Sequence, residues 1–107
     1  MISEVLFPWF SALVECVRSD EEDLSARQMA ILLSVYLESH RHTVRGLSQS
    51  LNISKPAISR AIDSLSTLGY VRRMPDEKDG RSIIIQRTVK GSVYVDTLAA
   101  RIIKAKK

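Results

Sequence analysis

The segment from Ser54 to Gly69, SKPAISRAIDSLSTLG, admits little other than a helix with one buried face. Ile58, Ala61, Ile62, Leu65 and Leu68 recur at helical spacing, Ser54 can cap the start with Pro56 in the first turn, and Gly69 stands where a left-handed C-terminal cap is wanted. Ser54, Lys55, Ala57, Ser59, Arg60 and Ser64 are left for the other face. Such a helix packs along one stripe and offers small, polar and basic side chains along the rest.

Its neighbours constrain the fold further. Ahead of it, Thr43 can cap a short helix carrying Val44, Leu47 and Leu51, and Asn52 and Ile53 form a tight turn. Before that, Ser25 and Gln28 have the form of a capping box, followed by Met29, Leu32, Leu33, Tyr36 and Leu37 on one face of a helix that ends near Ser39. After Gly69, Tyr70 to Met74 alternates like a strand, Pro75 to Gly80 is a charged turn, and Ser82 to Thr88 is isoleucine-rich like a second strand. At the ends, Val5, Leu6, Trp9, Phe10, Leu13, Val14, Cys16 and Val17 mark an amphipathic helix that begins near Phe7 or bends at Pro8. Thr88 can cap a last helix with Val93, Val95, Leu98, Ala99, Ile102 and Ile103 as its apolar stripe. The expected class is mainly α with a small β-hairpin, a winged helix-turn-helix in one domain.

Charge is segregated along the chain. Residues 1–39 net −5 and residues 40–107 net +9, so the excess of basic residues belongs to the helix-turn-helix, the hairpin and the last helix. A concentrated positive field on a small domain suits a polyanionic partner. With Cys16 as the only cysteine in 107 residues, no disulfide framework is possible. No apolar run approaches the ~20 residues that span a bilayer, and the first residues carry Glu4 without a basic n-region, so a cytoplasmic protein without a membrane partner is expected.

A helix of this kind fits the major groove, which is roughly 12 Å wide, with short side chains near its N-terminus reaching base edges and phosphates. Arg60 can reach a phosphate or a guanine, and backbone N–H groups after Ser54 can hold a phosphate. Thr43 and Arg45 at the start of the preceding helix, and Arg73, Lys78, Arg81 and Ser82 of the hairpin, complete the expected DNA-binding set; Arg72 and Arg87 add charge. Lys78 and Arg81 are the tip residues for the adjacent minor groove.

Over Leu24 to Gly91 the chain resembles the MarR family of bacterial regulators, through LSARQMAILL, NISKPAISRAIDSLSTLGYVRR and DEKDGRSIIIQRTVKG. The resemblance implies a supporting helix at Thr43 to Leu51, a recognition helix at Ser54 to Leu68 and a wing at Asp76 to Ser82. It divides the single domain 1–107 into an N-terminal helix (1–19), a DNA-binding core (24–91) and a C-terminal helix (90–107). It also implies that Asp63 orients Arg81 or Arg73 instead of touching DNA. Family wings usually carry Asp-x-Arg-Arg, whereas this chain has Asp79-Gly80-Arg81-Ser82, so one wing arginine is missing. A homodimer on a palindromic operator is expected, with Trp9, Phe10, Leu13, Val17, Val95, Leu98, Ile102 and Ile103 at its interface. Family members build a small-molecule pocket from longer terminal helices than this chain has, which leaves an effector open.

Other features carry less. Some relatives sense peroxide through a cysteine in the N-terminal helix, but Cys16 falls on the apolar face and its nearest charge in sequence, Glu15, disfavours a thiolate. His40 and His42 lack the further ligands of a tetrahedral metal site and read as a polar turn. Without a phosphate loop, nucleophile elbow or HExxH pair, neither catalysis nor a cofactor is expected. The leading reading is a sequence-specific DNA-binding regulator, a repressor; a protein-interaction module on the same scaffold and a plasmid- or phage-borne DNA-binding factor are the alternatives.

Overall fold

The computed structural model describes residues 1–106, which form helices α1 (Ile2–Arg18), α2 (Ala26–Leu37), α3 (Val44–Leu51), α4 (Lys55–Thr67) and α5 (Val89–Lys106), with strands β1 (Val71–Pro75) and β2 (Ile83–Arg87) between α4 and α5. The chain divides into two compact units: Leu24–Ser92, and Met1–Asp23 together with the residues from Val93 onward.

In the first unit the local signals act as capping chemistry requires. Ser25 accepts from the Gln28 amide while the Gln28 side chain accepts from the Ser25 amide, closing the capping box at α2. Thr43 caps α3 through the Gly46 amide, and Ser54 caps α4 through the Ala57 amide. The turn between these helices is made by Asn52, left-handed at φ 55°, whose short polar side chain tolerates that region. Gly69 takes φ 82° after α4, where a Cβ would carry strain.

The core is one cluster. Ile31, Leu32 and Val35 of α2, Leu47 of α3, Ile58, Ile62 and Leu65 of α4, Val71 of β1 and Ile85 of β2 are all buried. At about 1.5–3 kcal/mol for each fully buried aliphatic side chain, this cluster dominates the stability of the unit. The two strands pair antiparallel with Arg73 opposite Ile85, and the ladder gains a further rung on the outer edge of β2, where the Ile85 amide donates to the His42 carbonyl at 2.8 Å. His42 itself is only 5 % exposed, with Nε2 at 2.9 Å from the Glu38 carbonyl. The expected polar turn at 40–42 is therefore a short edge segment of the wing with a buried imidazole, drawn in because the hairpin needs a neighbour for Ile85.

A polar node joins the hairpin to the first turn of α5. Thr88 caps that helix through the Gly91 amide at 2.9 Å and donates to the Gly69 carbonyl at 2.7 Å. Tyr36 Oη donates to the Tyr70 carbonyl at 2.7 Å and accepts from the Thr88 amide at 3.0 Å. Gly91 is required there: a Cβ would stand 1.9 Å from Tyr36 Oη and 2.2 Å from the Tyr70 carbonyl oxygen.

In the second unit α1 runs unbroken from Ile2 through Pro8, starting five residues ahead of the Phe7 alternative. Proline costs the Glu4 carbonyl its helical donor, a small loss so close to the helix start. Only Pro8 and Ala12 of α1 are buried, whereas Ile2, Val5, Leu6, Phe7, Trp9, Phe10, Leu13 and Val17 are exposed. From Val93 onward the buried positions of α5 are Tyr94 and Leu98, while Val93, Ala99 and Ile103 are exposed. The expected single stripe thus merged two faces, because apolar residues occupy more than half of this helix's circumference. Arg101 donates to Cys16 Sγ at 3.2 Å and to Glu21 at 3.1 Å, and Lys104 lies 3.7 Å from Glu15. Partial burial opposes the Arg101 charge, but Cys16 and Glu21 outweigh it and hold its pKa above the ordinary arginine value.

Candidate nucleic-acid interface

The two faces of α4 are cleanly separated. Ala57, Ile58, Ala61, Ile62 and Leu65 are buried, and the chain presents Lys55, Pro56, Arg60, Asp63, Ser64 and Thr67 as exposed, with Ser59 half-buried among them. These outward positions recur at three and four residues, which makes one continuous stripe along the helix. Ala57, expected on the free face, is only 7 % exposed, and its methyl packs with the core. The backbone contribution at this N-terminus also shrinks. Pro56 has no N–H, the Ala57 amide is taken by Ser54 Oγ, and the Ile58 amide by the Ser54 carbonyl, which leaves the Lys55 amide as the one unpaired donor after Ser54 among the described residues.

The wing is tied to this helix by charge. Arg73 of β1 donates to Asp63 at 2.5 Å and to the Ser59 carbonyl at 3.2 Å. Of the two arginines expected as partners of Asp63, the structure brings up Arg73, because in the β1–β2 register it lies five residues before the tip, within reach of α4, whereas Arg81 stands in the tip turn. Arg73 was also expected to contact DNA; in the structure its guanidinium holds Asp63 and the Ser59 carbonyl.

At the tip, Asp79 accepts from the Arg81 amide at 3.1 Å and from Ser82 Oγ at 3.0 Å, and Asp76 accepts from the Lys78 amide at 3.0 Å. The residue that replaces the family's second wing arginine, Ser82, therefore serves the turn. A tie that sequence did not reveal holds the wing from its other side: Arg41 donates to Asp76 at 2.6 Å across 35 residues. No local pattern marks it, since the contact exists only once the 38–42 segment joins the hairpin. Among the described residues no ion pair engages Arg45, Lys55, Arg60, Lys78 or Arg81, all exposed, and Thr43 is committed to its cap.

Of the residues expected at a dimer interface, Trp9, Phe10, Leu13, Val17 and Ile103 are exposed, and Val95 and Ile102 are half-buried. Leu98 is corrected: at 5 % exposure in the single chain it has almost no surface left to give a partner.

A short helix, a tight turn, a second helix with one free basic face and a charged hairpin fixed beside it define a winged helix-turn-helix of the transcription-regulator class. The chain belongs to the MarR family, whose sequence profile matches residues 22–82. Comparison with curated proteins returned no match. Among solved structures it is similar to wild-type MarR from E. coli in its apo form, with 25 % identity over 75 % of this chain and 58 % of that one, at a TM-score of 0.67. CouR from Rhodococcus jostii bound to p-coumaroyl-CoA is 26 % identical over 94 % of this chain and 66 % of that one, with a TM-score of 0.70. The transcriptional regulator Tm0710 from Thermotoga maritima shares the fold at a TM-score of 0.76, with 22 % identity over 96 % of this chain and 70 % of that one. The chain thus spans little more than half the length of E. coli MarR, at 58 %. No helix among the described residues is long and apolar enough to cross a membrane.

Proposed function

We propose that the chain is a cytoplasmic, sequence-specific regulator of transcription that binds double-stranded DNA as a two-fold dimer and represses by occluding a promoter. The carrying observation is the exposed stripe of α4, with Lys55, Ser59, Arg60 and Ser64, held beside a wing that Arg73 locks onto Asp63. In this reading α4 enters the major groove, with Arg60 on a guanine or a phosphate, and Lys78 and Arg81 carry the wing tip to the minor groove. Arg45 and the start of α3 lie on the backbone. Residues 24–91 form the DNA-binding core. The terminal helices 1–19 and 90–107 join two copies, so that half-sites fall about one helical turn apart. A mutant MarR from E. coli has been solved with operator DNA, which supports the same use of this fold.

The test is a titration of the purified chain on the DNA upstream of its own gene against a scrambled duplex of equal length, at two salt concentrations. Preference by ~10³ or more that survives the higher salt is the expected result. Equal, salt-sensitive binding to both would remove sequence readout at that site and favour a protein partner for the basic face.

A further inference from the structure

The wing is anchored to the rest of the unit Leu24–Ser92 at two levels. At the first, Arg73 holds α4 on one side, and on the other the His42 carbonyl accepts from the Ile85 amide; Arg73 and Ile85 face each other in the β1–β2 register. The strands then run on for two more pairs, Met74–Ile84 and Pro75–Ile83, before the Asp76 amide closes the turn on the Ser82 carbonyl at 2.9 Å. At ~3.3 Å per residue, the turn begins about 10 Å beyond the first anchor. A two-stranded hairpin has little stability of its own, so its far end keeps a fixed place only where something else holds it.

Arg41 supplies that second anchor. Among the described residues, the hydrogen bonds and ion pairs of residues 76–82 stay within the turn, with one exception: Arg41 Nη1 donates to Asp76 Oδ2 at 2.6 Å. The Asp76 carboxylate uses both oxygens. While Oδ2 takes Arg41, Oδ1 accepts from the Lys78 amide at 3.0 Å. One carboxylate thus connects the 38–42 segment to the backbone of a tip residue. The Asp76 side chain is 13 % exposed against 53 % for Arg41, and the two line one groove of about 310 Å³ with Met74, Lys78, Ile84 and Gln86. Partial burial of the carboxylate strengthens the attraction relative to a fully exposed pair.

We infer that Arg41 is a positioning residue for DNA binding. Acting through Asp76, it fixes the Lys78 end of the wing tip relative to α4, so that the tip meets the minor groove at a set distance from the helix in the major groove. Arg41 does this without touching DNA. The inference rests on the DNA-binding reading above and gives a role to a residue outside both the helix-turn-helix and the hairpin. The physical gain is preorganisation, since a tip already in place need not be ordered on binding. Charge alone predicts something different. Were Arg41 only a cation near DNA, its loss would weaken binding, loss of the Asp76 charge would strengthen it, and loss of both would leave affinity unchanged.

Asp76→Asn separates the tie from the turn. Its amide oxygen can still accept from the Lys78 amide, but its NH2 group then faces the Arg41 N–H, donor against donor. Arg41→Gln removes the other partner, and the double variant keeps the parent's net charge. The test titrates all three on the DNA upstream of the chain's own gene and on a scrambled duplex, and measures 15N relaxation on the free chains. Each variant is expected to bind the upstream DNA ~5-fold more weakly, the factor that corresponds to the upper end for a surface ion pair, with the amide spectrum of α2 to α4 unchanged. In the free variants the heteronuclear NOE should fall at residues 77–81 and hold at 71–74. Tighter binding by Asp76→Asn, a double variant equal to the parent, or unchanged relaxation at 77–81 would overturn the inference. A parent chain that prefers neither duplex would instead reject the DNA-binding reading, with the relaxation data still deciding whether Arg41 holds the tip.

Discussion

Arg73 on β1 and Asp63 on α4 meet at 2.5 Å, and the same guanidinium reaches the Ser59 carbonyl, so the wing is referenced to the helix it flanks. The Asp63 side chain is 65 % exposed, and an exposed pair adds at most about 1 kcal/mol to stability. Its value lies in orientation. Asp63→Asn removes a negative charge from the surface proposed to meet DNA, which by electrostatics alone would strengthen binding. We expect the reverse: affinity for the operator falls ~10-fold while the melting temperature barely moves. Tighter binding of Asp63→Asn in a fluorescence anisotropy titration would show that the pair is only a surface charge.

Arg60 and Arg81 should separate in their salt dependence. Arg60→Ala is expected to cost about 1–3 kcal/mol on the operator and to relax sequence preference. Arg81→Ala should weaken operator and scrambled DNA alike and lower the slope of log affinity against log salt by ~1. Titrations at four salt concentrations read both effects, and unchanged affinity in both variants would reject this assignment of the interface.

The exposed apolar face of α1 carries a prediction about assembly. Trp9, Phe10, Leu13 and Val17 are each at least 37 % exposed in the single chain. Such a contiguous face is expected to be covered by a second copy. Phe10→Glu and Val17→Glu should halve the mass measured by sedimentation equilibrium. A wild-type mass equal to one protomer would discard the dimer and the palindrome with it.

Gly91 should be the least tolerant surface-distant position. Gly91→Ala drives a methyl onto Tyr36 Oη and the Tyr70 carbonyl, and should cost about 3 kcal/mol or more. Tyr36→Phe, which loses the bonds to Tyr70 and Thr88, should cost about 1–3 kcal/mol. Because both act on one node, the double variant should lose less than the sum in urea denaturation. Full additivity would mean that the two residues act separately.

Sequence by itself determined the elements whose causes are local. Caps at Ser25, Thr43, Ser54 and Thr88 and the stop at Gly69 depend on residues within a turn of one another, so they could be read in order along the chain. The alternation of buried and free faces on α4 was legible for the same reason, except at Ala57, a residue small enough to fit either face. The charge division that pointed to DNA needed only counting.

Tertiary structure decided what depends on distant residues meeting. Which arginine Asp63 holds was open until the β1–β2 register was set. The Arg41–Asp76 tie and the burial of His42 arise only when the 38–42 segment lies along β2, a pairing that leaves no periodicity to read. On α5 the pattern contained two apolar faces, and only packing chose Tyr94 and Leu98 for the inside. Cys16 illustrates the same limit: its nearest charge in sequence is Glu15, but its contact in space is the guanidinium of Arg101, because helices juxtapose side chains that the chain keeps 85 residues apart.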